Sequence, residues 1–194
     1  MSASQAKEDK NRFLLRTKEV ADLNQYWYSK NTIKAMVNEV LDASEKCAFL
    51  STPSVYFSLP KDSKLRANSM VFDLDPRFKK DSGFVKYDFK HPEEIPEKLH
   101  HTFDYVVIDP PFITSEVLEL YSKAAKLLLS DEKSGKVLIS TLQENAGIVE
   151  KFYMAKACTF QPSIPKLVYQ YNIYTNYEAK YLSEKNPEIP SYED

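Results

Sequence analysis

The chain has 194 residues, 43% of them apolar and 28% charged, with a net charge of −2. That length suits one domain with a full core, and that charge gives no global pull toward nucleic acid, so duplex binding would need a local basic face. Two cysteines, three histidines without zinc-ligand spacing and three glycines argue against a disulfide framework, a zinc site, a P-loop and a G-x-G-x-x-G loop. No signal-peptide pattern and no apolar run of membrane-spanning length is present, so the expected compartment is cytosolic or nuclear.

Residues 1–12 are polar and charged and read as a flexible tail, with the domain running over 13–182. Asn31 or Thr32 is expected to cap a helix through about Lys46, whose Ile33, Met36, Val37, Val40 and Leu41 fall at helical spacing. Cys47–Leu50 reads as a first strand, and Ser51-Thr52-Pro53-Ser54 as a turn into a helix. Met70–Phe72 is a second strand, running out at Asp73-Leu74-Asp75. Phe84–Tyr87 is a third, ending at Asp88, and Pro92–His100 is expected as a short helix. Tyr105–Ile108 is a fourth strand, apolar throughout as in a parallel sheet buried on both faces. Thr114 or Ser115 should cap a helix through Leu129. Lys136–Ser140 is a fifth strand, followed by a helix over about Glu144–Met154. Cys158–Phe160 and the alternating run Tyr169–Tyr174 predict an antiparallel edge hairpin. From Ser183, two prolines and an acidic end read as a second flexible tail, 183–194. Strands alternating with helices imply an α/β, doubly wound, Rossmann-like sheet, mostly parallel with an antiparallel C-terminal hairpin.

The most informative stretch is Asp109-Pro110-Pro111-Phe112. Proline cannot donate to a ladder, so the fourth strand must stop there. Asp109 and Phe112 are then presented at the carboxyl end of a parallel strand, where open α/β sheets bind ligands. An acid, rigid carbonyls and a ring face suit a flat or cationic nitrogen nucleophile. Asp73 or Asp75 after the second strand suits a ribose diol, because a carboxylate accepts two hydroxyl hydrogen bonds. Asp88 after the third can accept from an adenine amino group. Any one of these acids alone reads better as a cap or turn residue. Together they describe a nucleoside-containing cofactor across the sheet edge, with a nucleophile pocket beside it. Trp27, the single tryptophan, reads on its own as a core or interface anchor.

These residues resemble the class I S-adenosyl-L-methionine-dependent methyltransferases with an [Asn/Asp/Ser]-Pro-Pro-[Tyr/Phe] motif. More narrowly, the chain resembles the elongation factor 1-alpha lysine N-methyltransferases first described as N6-adenine DNA methyltransferase-like. The blocks that carry the match are Gln25-Tyr26-Trp27-Tyr28-Ser29, Ser51-Thr52-Pro53-Ser54-Val55-Tyr56, Asp73-Leu74-Asp75-Pro76-Arg77-Phe78, Asp109-Pro110-Pro111-Phe112 and Cys158-Thr159-Phe160-Gln161-Pro162. The resemblance implies S-adenosyl-L-methionine as cofactor. It assigns Gln25, Trp27, Tyr28 and Ser29 to its methionine end. Ser51, Pro53 and Ser54 would form the loop after the first strand, Asp73 or Asp75 would take the ribose, and Asp88 the adenine. Asp109 with Pro110, Pro111 and Phe112 would hold the target amine beside the cofactor. The missing loop glycines depart from the general methyltransferase pattern, and Phe112 stands where the family often has tyrosine, losing a hydroxyl but keeping the cation-binding face.

The resulting expectation is a cytoplasmic, monomeric protein-lysine N-methyltransferase acting on translation elongation factor 1-alpha, with no metal and no membrane. The alternative is an adenine-N6 methyltransferase working on a flipped base of DNA or RNA. It is disfavoured because a sequence-reading enzyme usually needs an added recognition region and basic faces. A non-catalytic module that keeps the cofactor fold would have no need of Asp109–Phe112.

Overall fold

The computed structural model describes residues 10–190. Seven strands form one sheet in the order β3-β2-β1-β4-β5-β7-β6. These are β1 Cys47–Leu50, β2 Met70–Asp73, β3 Phe84–Lys86, β4 Tyr105–Ile108, β5 Lys136–Leu142, β6 Lys156–Ala157 and β7 Tyr171–Thr175. The first five run parallel, and β7 lies antiparallel between β5 and β6. The strand order reverses between β1 and β4, the place where a doubly wound sheet opens a crevice. The two strands pair in register from Cys47↔Tyr105 to Leu50↔Ile108. The residues that follow them, Ser51 and Asp109, therefore emerge side by side.

Alternation along each strand feeds two cores. Ala48, Leu50, Val106 and Ile108 pack beneath α5 (Ser115–Leu128) and α6 (Ala146–Tyr153), with Val117, Leu118, Tyr121 and Val149. Cys47, Phe49, Tyr105 and Val107 point the other way, onto Ile33, Met36, Val37 and Val40 of α2 (Lys30–Ala43). Burial of the strands on both faces is what their unbroken apolar runs require.

The element boundaries differ from the sequence expectation in instructive ways. Ser29, not Asn31 or Thr32, caps α2: its Oγ accepts the Thr32 amide at 3.1 Å. Asn31 instead donates to Asn186 at 3.0 Å. The helix stops at Ala43 because Asp104 takes over the next polar groups, accepting from Ser44 Oγ at 2.5 Å and from the Glu45 amide at 2.9 Å. The segment from Pro92 to His100 forms two 3-10 turns, Pro92–Glu94 and Glu97–Leu99, rather than a helix. Pro96 lies between them and can neither donate nor fit a continuing turn. Cys158–Phe160 lies beyond β6: Cys158 still donates to Ile173 at 2.8 Å, but Phe160 turns away to Leu182 at 3.0 Å.

Both proposed tails are in part structured. Residues 1–9 and 191–194 lie outside the described residues. Asn11 caps α1 (Arg12–Arg16) by accepting the Leu14 amide at 3.1 Å. Ser183–Pro190, expected to be flexible, runs back over α2. Asn186 is 3% exposed and donates to the Gln161 carbonyl at 2.8 Å, and Glu188 meets the Ser29 hydroxyl. The composition signals little apolar drive, but these side-chain hydrogen bonds replace it.

The capping geometry gives Ser29 a structural duty, so Ser29→Ala should cost about 1 kcal/mol of stability, the usual loss for an N-cap. Cofactor affinity should not change. Chemical denaturation beside a calorimetric cofactor titration checks both halves, and a large affinity loss with unchanged stability would reverse the assignment.

Candidate active site

A cavity of about 500 Å3 opens at the carboxyl ends of β1, β2 and β4. This is within the usual size range of small-molecule sites. Ser51 and Pro53 line it after β1, Asp73 at the end of β2, Asp88 after β3, and Asp109, Pro110, Pro111 and Phe112 after β4. Gln25 and Trp27 form the facing wall. Tyr28, Ser29, Ser54 and Asp75 are not among the lining residues.

Each turn has an identifiable cause. Ser51 has φ of 52°, a left-handed conformation that costs a non-glycine residue about 1–2 kcal/mol. Two contacts hold it there: its amide donates to the Phe72 carbonyl at 2.8 Å, and its hydroxyl pairs with the Tyr121 hydroxyl at 2.6 Å. The serine thus does with side-chain anchoring what the usual glycine does with freedom. After β4, the Asp109 amide makes the last rung, to Leu50 at 3.2 Å, and the prolines end the ladder. Asn24, itself left-handed with φ of 52°, donates its side-chain amide to the Pro111 carbonyl. Among the described residues, no hydrogen bond engages the Pro110 carbonyl.

The carboxylates divide into two kinds. Asp75 is 1% exposed and already saturated. It takes Gln25 Nε2 at 2.9 Å, the Arg77 amide at 2.9 Å and an ion pair to Arg77 at 2.6 Å. Burial raises its pKa, but the hydrogen bonds from Arg77 and Gln25 outweigh burial and leave it below the ordinary value. Asp73 is 7% exposed, and its Oδ1 accepts the Asp75 amide at 2.8 Å, leaving the other oxygen for a ligand. Burial pushes its carboxyl up to about 7. Burial does the same to Asp109, also to about 7, with the Tyr28 hydroxyl acting weakly in the opposite direction. The Tyr28 hydroxyl is itself raised, first by burial and then by the Asp109 charge. It neighbours Asp109 and Ser140 without a well-formed hydrogen bond to either, so it behaves as a neutral donor held ready at the back of Asp109. Asp88 keeps one oxygen on the Lys90 amide at 3.0 Å.

Residues 19–179 match the family described as probable N6-adenine methyltransferase. EEF1A lysine methyltransferase 1 of Danio rerio is 34% identical over 173 residues, covering 83% of this chain and 100% of its own. The Mus musculus protein of that name is 33% identical over 166 residues, covering 81% of this chain and 74% of its own. The chain belongs to the family of EEF1A lysine methyltransferases. Among solved structures, a putative RNA methyltransferase from Pyrococcus horikoshii superposes with a TM-score of 0.56 at 17% identity, covering 88% of this chain and 94% of that one. A branched-chain polyamine synthase from Thermus thermophilus reaches 0.61 at 15%, covering 89% and 60%. At these identities the likeness is one of fold.

Several cavity residues of this family member went unnoticed in the sequence. Asp22, Leu23 and Asn24 extend the wall formed by Gln25, Tyr26 and Trp27, and Ile164, Leu167, Tyr169 and Tyr171 close the opposite side. The alternation that marked Tyr169–Tyr174 as strand gave no hint that Tyr171 faces the site. Tyr87, Phe89, Tyr121 and Phe112 form a run of ring contacts: Phe89 lies 6.2 Å from Phe112, 5.9 Å from Tyr121 and stacked on it, and Tyr121 lies edge-on to Tyr87 at 5.9 Å. Trp27 is pinned, its indole N–H on the Thr17 carbonyl at 2.9 Å and its amide on Glu19 at 2.8 Å. It therefore combines the anchoring role expected of it with a place on the cavity wall.

The raised carboxyl of Asp73 makes a signed prediction. Between its ordinary value of 3.8 and about 7, the folded state holds more protons there than the unfolded state, so folding loses stability as the pH rises through that window. Asp73→Asn removes the effect while keeping an acceptor for the Asp75 amide. Relative to wild type, the variant should therefore gain stability steadily from pH 4 to pH 7 and then level off. Thermal melts across this range check it, and a difference that does not vary with pH would contradict the buried-carboxyl assignment.

Proposed function

We infer that the protein is an S-adenosyl-L-methionine-dependent protein-lysine N-methyltransferase acting on translation elongation factor 1-alpha. The observation that carries this reading is the convergence of Asp73, Ser51 and Asp109–Phe112 on one cavity in a chain 33% and 34% identical to the Mus musculus and Danio rerio EEF1A lysine methyltransferases over most of its length. Nucleic-acid substrates fit less well. The family description mentions adenine, but the net charge of −2 gives no global pull toward nucleic acid. The cavity is built by one chain, and we read the working unit as a cytoplasmic monomer. No helix among the described residues is long and apolar enough to cross a membrane.

The cavity residues fit the cofactor. Asp73, with a free oxygen at the β2 end, would take the ribose hydroxyls, and Asp75, consumed by Arg77 and Gln25, would not. Asp88 would accept from the adenine amino group. Gln25 and Trp27 would flank the methionine end, while Tyr28, Ser29 and Ser54 support the wall from behind. The cofactor supplies a methyl group on a sulfonium, displaceable by an amine lone pair, with the S–C electron pair returning to sulfur. The protein must deliver that amine unprotonated and aimed. The Asp109 carboxylate and the Pro110 carbonyl accept its N–H groups, and because Asn24 occupies the Pro111 carbonyl, the turn that carries them is fixed. Positioning of this kind supplies a large part of the acceleration in such reactions. Phe112, 51% exposed at the mouth, packs on the lysine stem and attracts the nitrogen while it is cationic. The lysine must also lose its ammonium proton, and its desolvation in the cavity lowers its pKa and favours that loss to solvent before transfer, leaving the Asp109 carboxylate free to accept the amine N–H groups.

Asp109→Ala should retain cofactor binding and lose most methyl transfer, because the side chain acts on the reacting nitrogen. Phe112→Ala should behave alike, and Phe112→Tyr should remain active because the ring face is kept. Asp73→Ala should weaken cofactor binding by roughly tenfold to a hundredfold, the loss expected for a charged hydrogen bond of ~1.5–3 kcal/mol. Tritiated-methyl transfer into cell lysate reads the substrate class. A protease-sensitive band at the size of elongation factor 1-alpha is expected, and label in N6-methyladenine that disappears with Asp109→Ala would move the substrate to nucleic acid.

A further inference from the structure

On the far side of the wall that carries Gln25 and Trp27 lies a second groove of about 630 Å3. Its floor is aromatic. Phe57 stacks on Phe13 with ring centres 6.0 Å apart and packs on Phe78 at 5.0 Å. Its rim is basic: Lys10, Arg12, Arg16, Lys61 and Arg77 line it, and no aspartate or glutamate does. Arg77 is neutralised by Asp75. The other four cations are exposed, and among the described residues none has a carboxylate at ion-pair distance. In a chain of net charge −2, four cations with no carboxylate partner among the described residues make a directed local field around one depression.

The two cavities are one layer of residues apart. Thr17 and Arg77 line the groove. The Thr17 carbonyl accepts the Trp27 indole N–H at 2.9 Å, and Arg77 donates to Gln25 Oε1 at 3.0 Å. Trp27 and Gln25 line the catalytic cavity. A folded partner that inserts a side chain beside Asp109 therefore has the groove within reach.

We propose that this groove is a second docking site for the protein substrate, filled by an acidic segment that also carries apolar side chains and lies apart from the target lysine. The proposal rests on the protein-lysine reading above. Carboxylates of the segment meet the rim, and its apolar groups meet the aromatic floor. A nucleic acid is the poorer occupant: Phe13 and Phe78 are buried and only Phe57 is partly open, so the floor offers one ring to an apolar side chain and no row of ring faces on which successive bases could stack. Occupation of the groove raises the effective concentration of the lysine at the catalytic cavity without altering the chemistry there.

The test is steady-state methylation of intact elongation factor 1-alpha by the wild type and by Arg12→Glu/Arg16→Glu/Lys61→Glu, with calorimetric cofactor titration of both. The KM for the protein substrate should rise roughly tenfold or more while kcat and cofactor affinity stay near wild type, because the contact is made away from the reacting atoms. The wild-type KM should also rise between about 50 and about 200 mM salt, and the variant's should not. Arg12→Gln/Arg16→Gln/Lys61→Gln is the second variant, for use if charge reversal disturbs folding, with a smaller rise in KM expected. A wild-type KM in the folded variants overturns the proposal. A labelled RNA duplex bound by the wild type and lost in the variant, with KM for the protein unchanged, overturns it in favour of nucleic acid. If the wild-type enzyme leaves elongation factor 1-alpha unlabelled, the substrate reading fails before any variant is compared, and the docking assignment falls with it.

Discussion

The site depends on a central parallel strand that cannot continue. β4 is buried on both faces and pairs on both edges, so its end is fixed by the whole sheet. Its last amide, that of Asp109, bonds to Leu50, and the two prolines that follow offer none. The chain is forced off the ladder with the Pro110 carbonyl and the Asp109 carboxylate unspent. A backbone that has left a sheet would normally be mobile. Here fixed proline φ angles and the Asn24 side chain on the Pro111 carbonyl hold it in one place. The remainder of the cavity is arranged around that fixed point.

Electrostatics set the second condition. Asp73 and Asp109 are both lifted to about 7 by burial in one cavity, which disfavours their charged forms until a cation is present. A sulfonium or an ammonium relieves that cost, so the cavity prefers cationic ligands before any specific contact is counted. Asp75 shows the opposite outcome two residues from Asp73. The Arg77 guanidinium and the Gln25 amide compensate its burial, and it serves as a structural anion.

The segment from Thr17 to Trp27 joins these conditions to the rest of the molecule. Trp27, clamped at both its nitrogens, also meets Phe13 edge-on at 5.1 Å. Packing on the basic groove and packing on the cavity at the strand ends are thus two sides of one thin wall. Arg77 adds a polar tie across it, bound at once to Asp75, Gln25 and the Lys18 carbonyl.

Local chemistry determined much of this from the sequence. The unbroken apolar runs required strands buried on both faces. The Asp109-Pro110-Pro111-Phe112 stretch required a strand end presenting an acid and a ring, and the acids after β2 and β3 fell into the same crevice because successive parallel strands must all end on one side of the sheet. Tertiary structure alone decided between equivalent groups. Asp73 and Asp75 are indistinguishable as letters, and only the approach of Arg77 and Gln25 to Asp75 separates them. Ser29 and Asn31 are both good caps, and the choice fell to Ser29 because Asn31 is drawn to Asn186 from the far end of the chain. Tyr171, Tyr169 and Asn24 reach the cavity through contacts between segments far apart in sequence, and the basic groove assembles cations from Lys10 to Arg77. No pattern along the chain records such meetings, because they are fixed by which surfaces the folded layers bring together.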